Sequence, residues 1–172
     1  RAPPSSITMS TKLRLVADAS NPTLFARLHV QTVRRLRTSL GDDDCLGGHD
    51  DDDVTFLPLK ITFATTTGGA AAPPPIFVSF NGGTINASDA IQIHPSLLPH
   101  HDEILTTNHE CLVTVTPLLP PPPTATTIHV DPLSLGDWES IECHASYLET
   151  GGLLQQVSVV YTGQILTLRL PG

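Results

Sequence analysis

The chain has 172 residues and a mass of 18.4 kDa, room for one domain or two small lobes. Hydrophobic residues make up 40% and charged residues 15%. That excludes wholesale disorder, and no apolar run approaches the roughly 18 residues of a membrane-spanning helix. The net charge of −8 is polarised: residues 1–41 hold seven bases and one acid, residues 42–53 hold seven Asp, and residues 61–172 hold Arg169 against nine acids. Such a distribution excludes a continuous basic face for nucleic acid but leaves room for a small anion-binding patch near the N-terminus.

In chain order, Thr11–Val16 alternates polar and apolar residues, the period of a strand with one buried face. After Asn21-Pro22, Leu24–Val30 reads as a second strand. Val33, Leu36 and Leu40 then fall on one face of a short helix that Gly41 stops. The seven Asp of residues 42–53 repel one another and predict a solvated loop. Val54–Phe63 reads as a strand that Pro58 demotes to an edge or bulge, and Thr65–Pro75 as a flexible insertion. Ile76–Phe80 is a strand and Asn81-Gly82-Gly83 a turn. Ala90–Ile93 and Cys111–Val115 are further strands, with a short helix opened by Pro95 between them.

Residues 117–125, with five prolines between Pro117 and Pro123, read as a linker between lobes 1–116 and 126–172. Beyond it come a strand at Thr126–Val130, a helix capped by Ser134 with Asp137, and a stop at Gly151-Gly152. Trp138, Ile141, Ala145 and Leu148 share a helical face, and Trp138 is read as core rather than as a ligand platform. Val157–Tyr161 and Gln164–Leu170 complete the pattern as alternating strands. The single Met predicts an internal or processed piece, and the N-terminus shows no apolar signal-peptide run.

Little catalytic chemistry is encoded. No G-x-x-x-x-G-K-[ST] occurs, so no phosphate-cradling P-loop is present, and no G-x-S-x-G elbow either. Counted from Asp42, the acidic loop imitates an EF-hand in part. However, Leu46 occupies a ligand position and the terminal Glu is missing. His94, His100, His101 and His109 lie among prolines that break helical ligand spacing, so they read as surface histidines rather than zinc ligands. Cys45, Cys111 and Cys143 form no CxxC and are expected as reduced thiols. Pro117-x-x-Pro120 has no basic flank and reads as linker. Asn86-Ala87-Ser88 matches a glycosylation triplet, a pattern that chance supplies readily. Cys143 and His144 are helix neighbours and do not face each other. Arg34, Arg35 and Arg37, aided by Arg27, form the one basic cluster. It is either a solvated helix face or an anion site for lipid phosphate or an acidic partner segment.

Ile128-His-Val-Asp-Pro-Leu-Ser-Leu-Gly-Asp-Trp-Glu139, followed by Ile141, His144-Ala145, Leu148 and Leu153-Leu154, resembles the N-terminal domain of peroxisome biogenesis factor 1, a double-ring AAA ATPase. More loosely, the opening strand–strand–helix segment, Ile76–Gly83, Ile91-x-Ile93 and the strand around Val113 follow the same order. The resemblance implies a mainly β fold with short helices: a double-psi β-barrel lobe, then a smaller β-barrel lobe carrying one helix. The same two-lobe module heads valosin-containing protein and the N-ethylmaleimide-sensitive factor. In this family the second lobe has one strand more than Gln164–Leu170 supplies. The resemblance further implies a non-catalytic adaptor that recruits substrate, with ATP and Mg bound elsewhere in the parent chain and no cofactor here. Its partners would be an adaptor or import receptor, a second peroxisomal AAA subunit and anionic lipid. Its location would be cytoplasmic, peripheral on the peroxisomal membrane. The alternatives are a substrate-recognition module of a ubiquitin-pathway cofactor with the same two lobes, and a small enzyme on a double-psi barrel.

Overall fold

Alternation of apolar and polar residues builds six strands, each of which can bury one face. The computed structural model describes residues 10–38, 56–63, 73–98, 111–120 and 122–171. Its strands are β1 (Thr11–Ala17), β2 (Ala26–Leu28), β3 (Leu57–Phe63), β4 (Ile76–Thr84), β5 (Ala90–Ile93) and β6 (Leu112–Pro117). They close into a barrel in the order β1-β5-β2-β4-β3-β6. β1–β5 and β2–β4 run parallel, and the other four pairings are antiparallel. Closure gives each of these strands a neighbour on both sides.

The inward set is what the alternation dictates. Leu57, Leu59, Ile61 and Phe63 of β3 join Ile76, Val78 and Phe80 of β4 and Val113 and Val115 of β6, the strands on either side of β3, with Ile91 and Ile93 of β5 completing the core. Full burial of each such side chain is worth about 1.5–3 kcal/mol. Between β2 and β3 in sequence, α1 (Val30–Thr38) lays Thr32, Val33 and Leu36 on the barrel. The Thr32 hydroxyl donates to the Ser88 carbonyl at 3.1 Å, tying the helix to the loop before β5.

Three local expectations change in the barrel. The second strand is only Ala26–Leu28, because α1 starts at Val30. Pro58 lies inside a strand paired on both sides. It is tolerated because the β3–β6 register begins one residue later, at Leu59 and Pro117, where the ladder runs out. Asn81-Gly82-Gly83 is not a turn, and β4 continues through it to Thr84. Gly82 supplies a φ of 83° beside the register shift between β2 and β4. A Cβ at Gly83 would sit 3.0 Å from the Arg27 Cγ. The glycines therefore serve a bulge and a close side-chain crossing. Downstream, Pro95–Leu97 forms the expected short helix, a single 3₁₀ turn with His94 accepting from the Ser96 N–H.

The second half of the sequence departs further from expectation. α2 (Leu135–Tyr147) forms as its cap predicts. Ser134 Oγ accepts from the Asp137 N–H at 3.2 Å and donates to its carboxylate at 2.7 Å. A π-helical turn, Leu148–Gly152, ends it at Gly151, whose φ is 116°. No residue of α2 is buried, and Trp138 is 54% exposed, so it is not core. Thr126–Val130, Val157–Tyr161 and Gln164–Leu170 form no strands. Period-2 alternation makes a strand possible, but a ladder also needs a partner, and these segments find none among the described residues. The fold shown is therefore a mixed sheet closed into a six-stranded barrel, plus a short helical region. The 42–53 acidic loop, Cys45, Leu40 and Gly41, residues 64–72 of the insertion, and His100, His101 and His109 lie outside the described residues.

Candidate binding surface

The basic cluster divides. Arg34 and Arg35 are exposed on α1 and Arg37 is half-buried in its last turn, where cations offset the helix dipole. Arg27 alternates outward from β2 and is committed elsewhere. Its guanidinium lies 3.9 Å from the Asp18 carboxylate, and its stem crosses Gly83. Hydrogen bonds from the Ser20 hydroxyl (2.6 Å) and N–H (2.9 Å) hold the Asp18 carboxyl below its usual range, with Arg27 and His94 adding to the effect. Arg27 thus braces the end of β1, while the three arginines of α1 share one helix.

Beside Asp18 the C-terminal segment is fastened to the barrel. Asn21 is buried, donating to the Phe25 carbonyl at 2.9 Å and accepting from Thr23. That shapes a loop whose Ala19 and Asn21 carbonyls accept from the Arg169 guanidinium at 3.4 and 3.3 Å. Gln156, also buried, acts as a surrogate peptide group. Its Nε2 donates to the Gly152 and Arg169 carbonyls at 2.9 and 3.0 Å, and its Oε1 accepts from the Arg169 N–H at 2.6 Å. The Gln156 backbone carbonyl in turn accepts from the Leu24 N–H at 2.8 Å. His94 sits near this latch. Burial lowers its pKa, and the charge of Arg169 lowers it further while Asp18 opposes.

Where the segment crosses the barrel it leaves an apolar cleft of about 280 Å³. Phe77, Leu118, Pro120 and Pro122 line one wall, and Val159, Val160 and Tyr161 the other. The Phe77 and Tyr161 rings meet edge to face at 5.5 Å. Burial raises the Tyr161 hydroxyl pKa, so it stays neutral at physiological pH. This lining can receive an apolar side chain, and its ionisable side chain, Tyr161, is held neutral. Pro120 is thus a wall residue rather than part of a docking ligand, and Pro117 is buried in β6.

Sequence reasoning missed the latch and the cleft. Asn21 signalled only a turn, and nothing in the spacing of Gln156 and Arg169 announces that they pair. Burial raises the Cys111 thiol pKa, and Cys143 is exposed on α2. Among the described residues no group of three or more His, Cys, Asp or Glu could hold a metal.

Residues 126–172 match the family model described as peroxisome biogenesis factor 1, N-terminal. Two curated proteins named peroxisomal ATPase PEX1 match as well. The one from Arthrobotrys oligospora is 47% identical over 49 residues, 28% of this chain and 4% of the relative. The one from Dictyostelium discoideum is 48% identical over 42 residues, 24% of this chain and 3% of the relative. Residues 126–172 are related to the N-terminal domain of PEX1 ATPases. The matched stretch spans only a few per cent of the curated relatives' length. It contains α2, both residues of the Gln156–Arg169 latch and one wall of the cleft. No solved structure matches the chain. Among the described residues no helix is long and apolar enough to cross a membrane.

Proposed function

We propose that the chain is a non-catalytic recruiting module of a peroxisomal AAA ATPase, acting in peroxisome biogenesis on the cytoplasmic face of the membrane. The observation that carries this reading is the match of residues 126–172 to the N-terminal region of peroxisome biogenesis factor 1. ATP and Mg would be bound by the parent chain, together with a second AAA subunit, and the recruited protein would be an import receptor or its adaptor. Two parallel pairings within a six-strand barrel support a double-psi barrel for residues 1–116. The match beginning at residue 126, past the proline run, supports a separate second lobe at 126–172.

The cleft beside Phe77 and Tyr161 is the proposed seat of the recruited protein. Calorimetric titration of the chain with the purified peroxisomal import receptor should give a saturable heat of one-to-one stoichiometry. Phe77→Asp, which puts a charge on a half-buried wall, should weaken it at least tenfold, on the order of 1.4 kcal/mol. A receptor that gives no heat, or binds the variant equally well, would count against this seat.

A second reading, anionic headgroup binding by Arg34, Arg35 and Arg37, is favoured by the exposure of Arg34 and Arg35 on the side of α1 away from Thr32, Val33 and Leu36, with Arg37 half-buried at the flank. Each base near an anionic surface is worth about 1 kcal/mol, and such attraction is screened by salt over a Debye length of about 8 Å. Co-sedimentation with phosphoinositide vesicles should fall steeply with salt and vanish in the triple Arg→Ala variant. Attachment indifferent to both would return these arginines to a solvated helix face.

A further inference from the structure

The first two turns of α2 and the segment before it leave unusually large apolar side chains in solvent. Leu133 is 76% exposed, Leu135 75% and Trp138 54%, with Ile128 and Val130 also exposed. Helix geometry sorts α2 into two sides. Ile141, His144, Ala145 and Leu148 are half-buried. Leu135, Trp138, Glu139 and Glu142 follow i, i+3, i+4, i+7 spacing and form one exposed stripe. Isolated exposed leucines are ordinary, but a run of large apolar groups with the chain's single Trp marks an interaction surface.

The charge around this stripe selects its occupant. Residues 126–153 contain Asp131, Asp137, Glu139, Glu142 and Glu149 and no Lys or Arg. All five carboxylates are exposed. An anionic membrane would be repelled by that rim, and so would a second copy of the same stripe. We propose that Leu133, Leu135 and Trp138 with the flanking carboxylates of Glu139 and Glu142 dock a basic amphipathic segment of a partner protein. Its apolar face would cover the Leu and Trp side chains, and its Lys or Arg groups would meet the carboxylates. Trp at the centre of an apolar patch is the residue type that dominates such contacts. This surface rests on the reading of the chain as a recruiting module. It supplies a partner chemistry distinct from the uncharged cleft at Phe77.

Trp138 is also the reporter. The probe is a short designed helix with a leucine face flanked by Lys and Arg, and its twin carries Glu in their place. Titration of the chain with the basic peptide should shift Trp138 emission to the blue and saturate. Raising salt from low to physiological should weaken it severalfold, and the acidic twin should bind at least tenfold more weakly. Leu133→Ser with Leu135→Ser should cost at least tenfold, with the fold intact because neither side chain is buried. Glu139→Gln with Glu142→Gln should bring the two peptides toward equal affinity. Asp137 is spared because it accepts the Ser134 hydroxyl at the cap.

Equal binding of both peptides to the unaltered chain would overturn the proposal, as would indifference to the leucine substitutions. So would Trp138 emission already shielded from acrylamide in the chain alone, which would mean that a second copy or a further segment covers the stripe. A larger blue shift with anionic vesicles than with the peptide would make the surface a lipid contact instead. The assay uses neither import receptor nor ATPase ring. Its failure would leave the recruiting role standing, and failure of the receptor titration would leave this surface standing.

Discussion

Phe80→Ala is expected to destabilise the barrel by about 3–5 kcal/mol. Phe80 is 1% exposed at the centre of β4, opposite Ala26 of β2 and Leu57 of β3. Removing its ring deletes the transfer energy of the largest fully buried side chain among the described residues. It also leaves a cavity that a closed barrel cannot collapse, because every strand is held by two neighbours. Domains of this size are stable by about 5–15 kcal/mol, so much of the total would be lost. Urea unfolding followed by far-ultraviolet circular dichroism gives the measurement. The midpoint should drop sharply, with Phe80→Leu falling much less. A loss under about 1 kcal/mol, the scale of a surface change, would show that Phe80 is not enclosed as described.

The second large effect belongs to Gln156. Gln156→Ala removes three side-chain hydrogen bonds in a buried setting and leaves the Arg169 N–H without its 2.6 Å acceptor. Each bond contributes about 0.5–1.5 kcal/mol net, and three are lost. The local loss is therefore about 2–4 kcal/mol. It should fall on the attachment of residues 153–170 rather than on the barrel, whose six strands do not include them. Hydrogen exchange should show the Arg169 amide losing protection by orders of magnitude, while Ile61 and Val115 amides keep theirs. Gln156→Glu keeps an acceptor for Arg169 but has no N–H to donate, so it should lie between. Unchanged protection at Arg169 would mean that the segment is held by Val157 and Val159 packing instead.

These expectations divide along the line where sequence was and was not sufficient. The barrel strands were legible because each buries one face, and alternation at Leu13, Ile61, Phe80, Ile91 and Val113 records that face directly. Their order around the barrel was not legible, since periodicity says which side is buried and not which strand lies alongside. Gly82-Gly83 illustrates the limit. Two glycines permit a turn or a bulge equally, and the choice is made by Arg27 crossing from another strand. The Ser134–Asp137 cap was readable because both groups lie within one turn. Trp138 was misread because helical spacing identifies a face but not what covers it. Val157–Leu170 alternates as a strand would, yet a side-chain amide, not a ladder, meets the Arg169 backbone. That capture spans 13 residues and leaves no local trace.

At the functional level the motif around Asp131–Glu139 pointed to the peroxisomal ATPase family, and the match over residues 126–172 agrees with it. Assignment of the four arginines to a single patch was less secure, because Arg27 is engaged by Asp18. The central claim, a recruiting module for a peroxisomal ATPase, is tested most directly by transplantation. A PEX1 ATPase lacking its own N-terminal region would carry this chain in its place, and matrix-protein import into peroxisomes would be scored in cells. Import should recover with the unaltered chain and fall again with Phe77→Asp, at equal protein levels. An assembled, ATP-hydrolysing hybrid that leaves import at the level of the truncated ATPase would contradict the account.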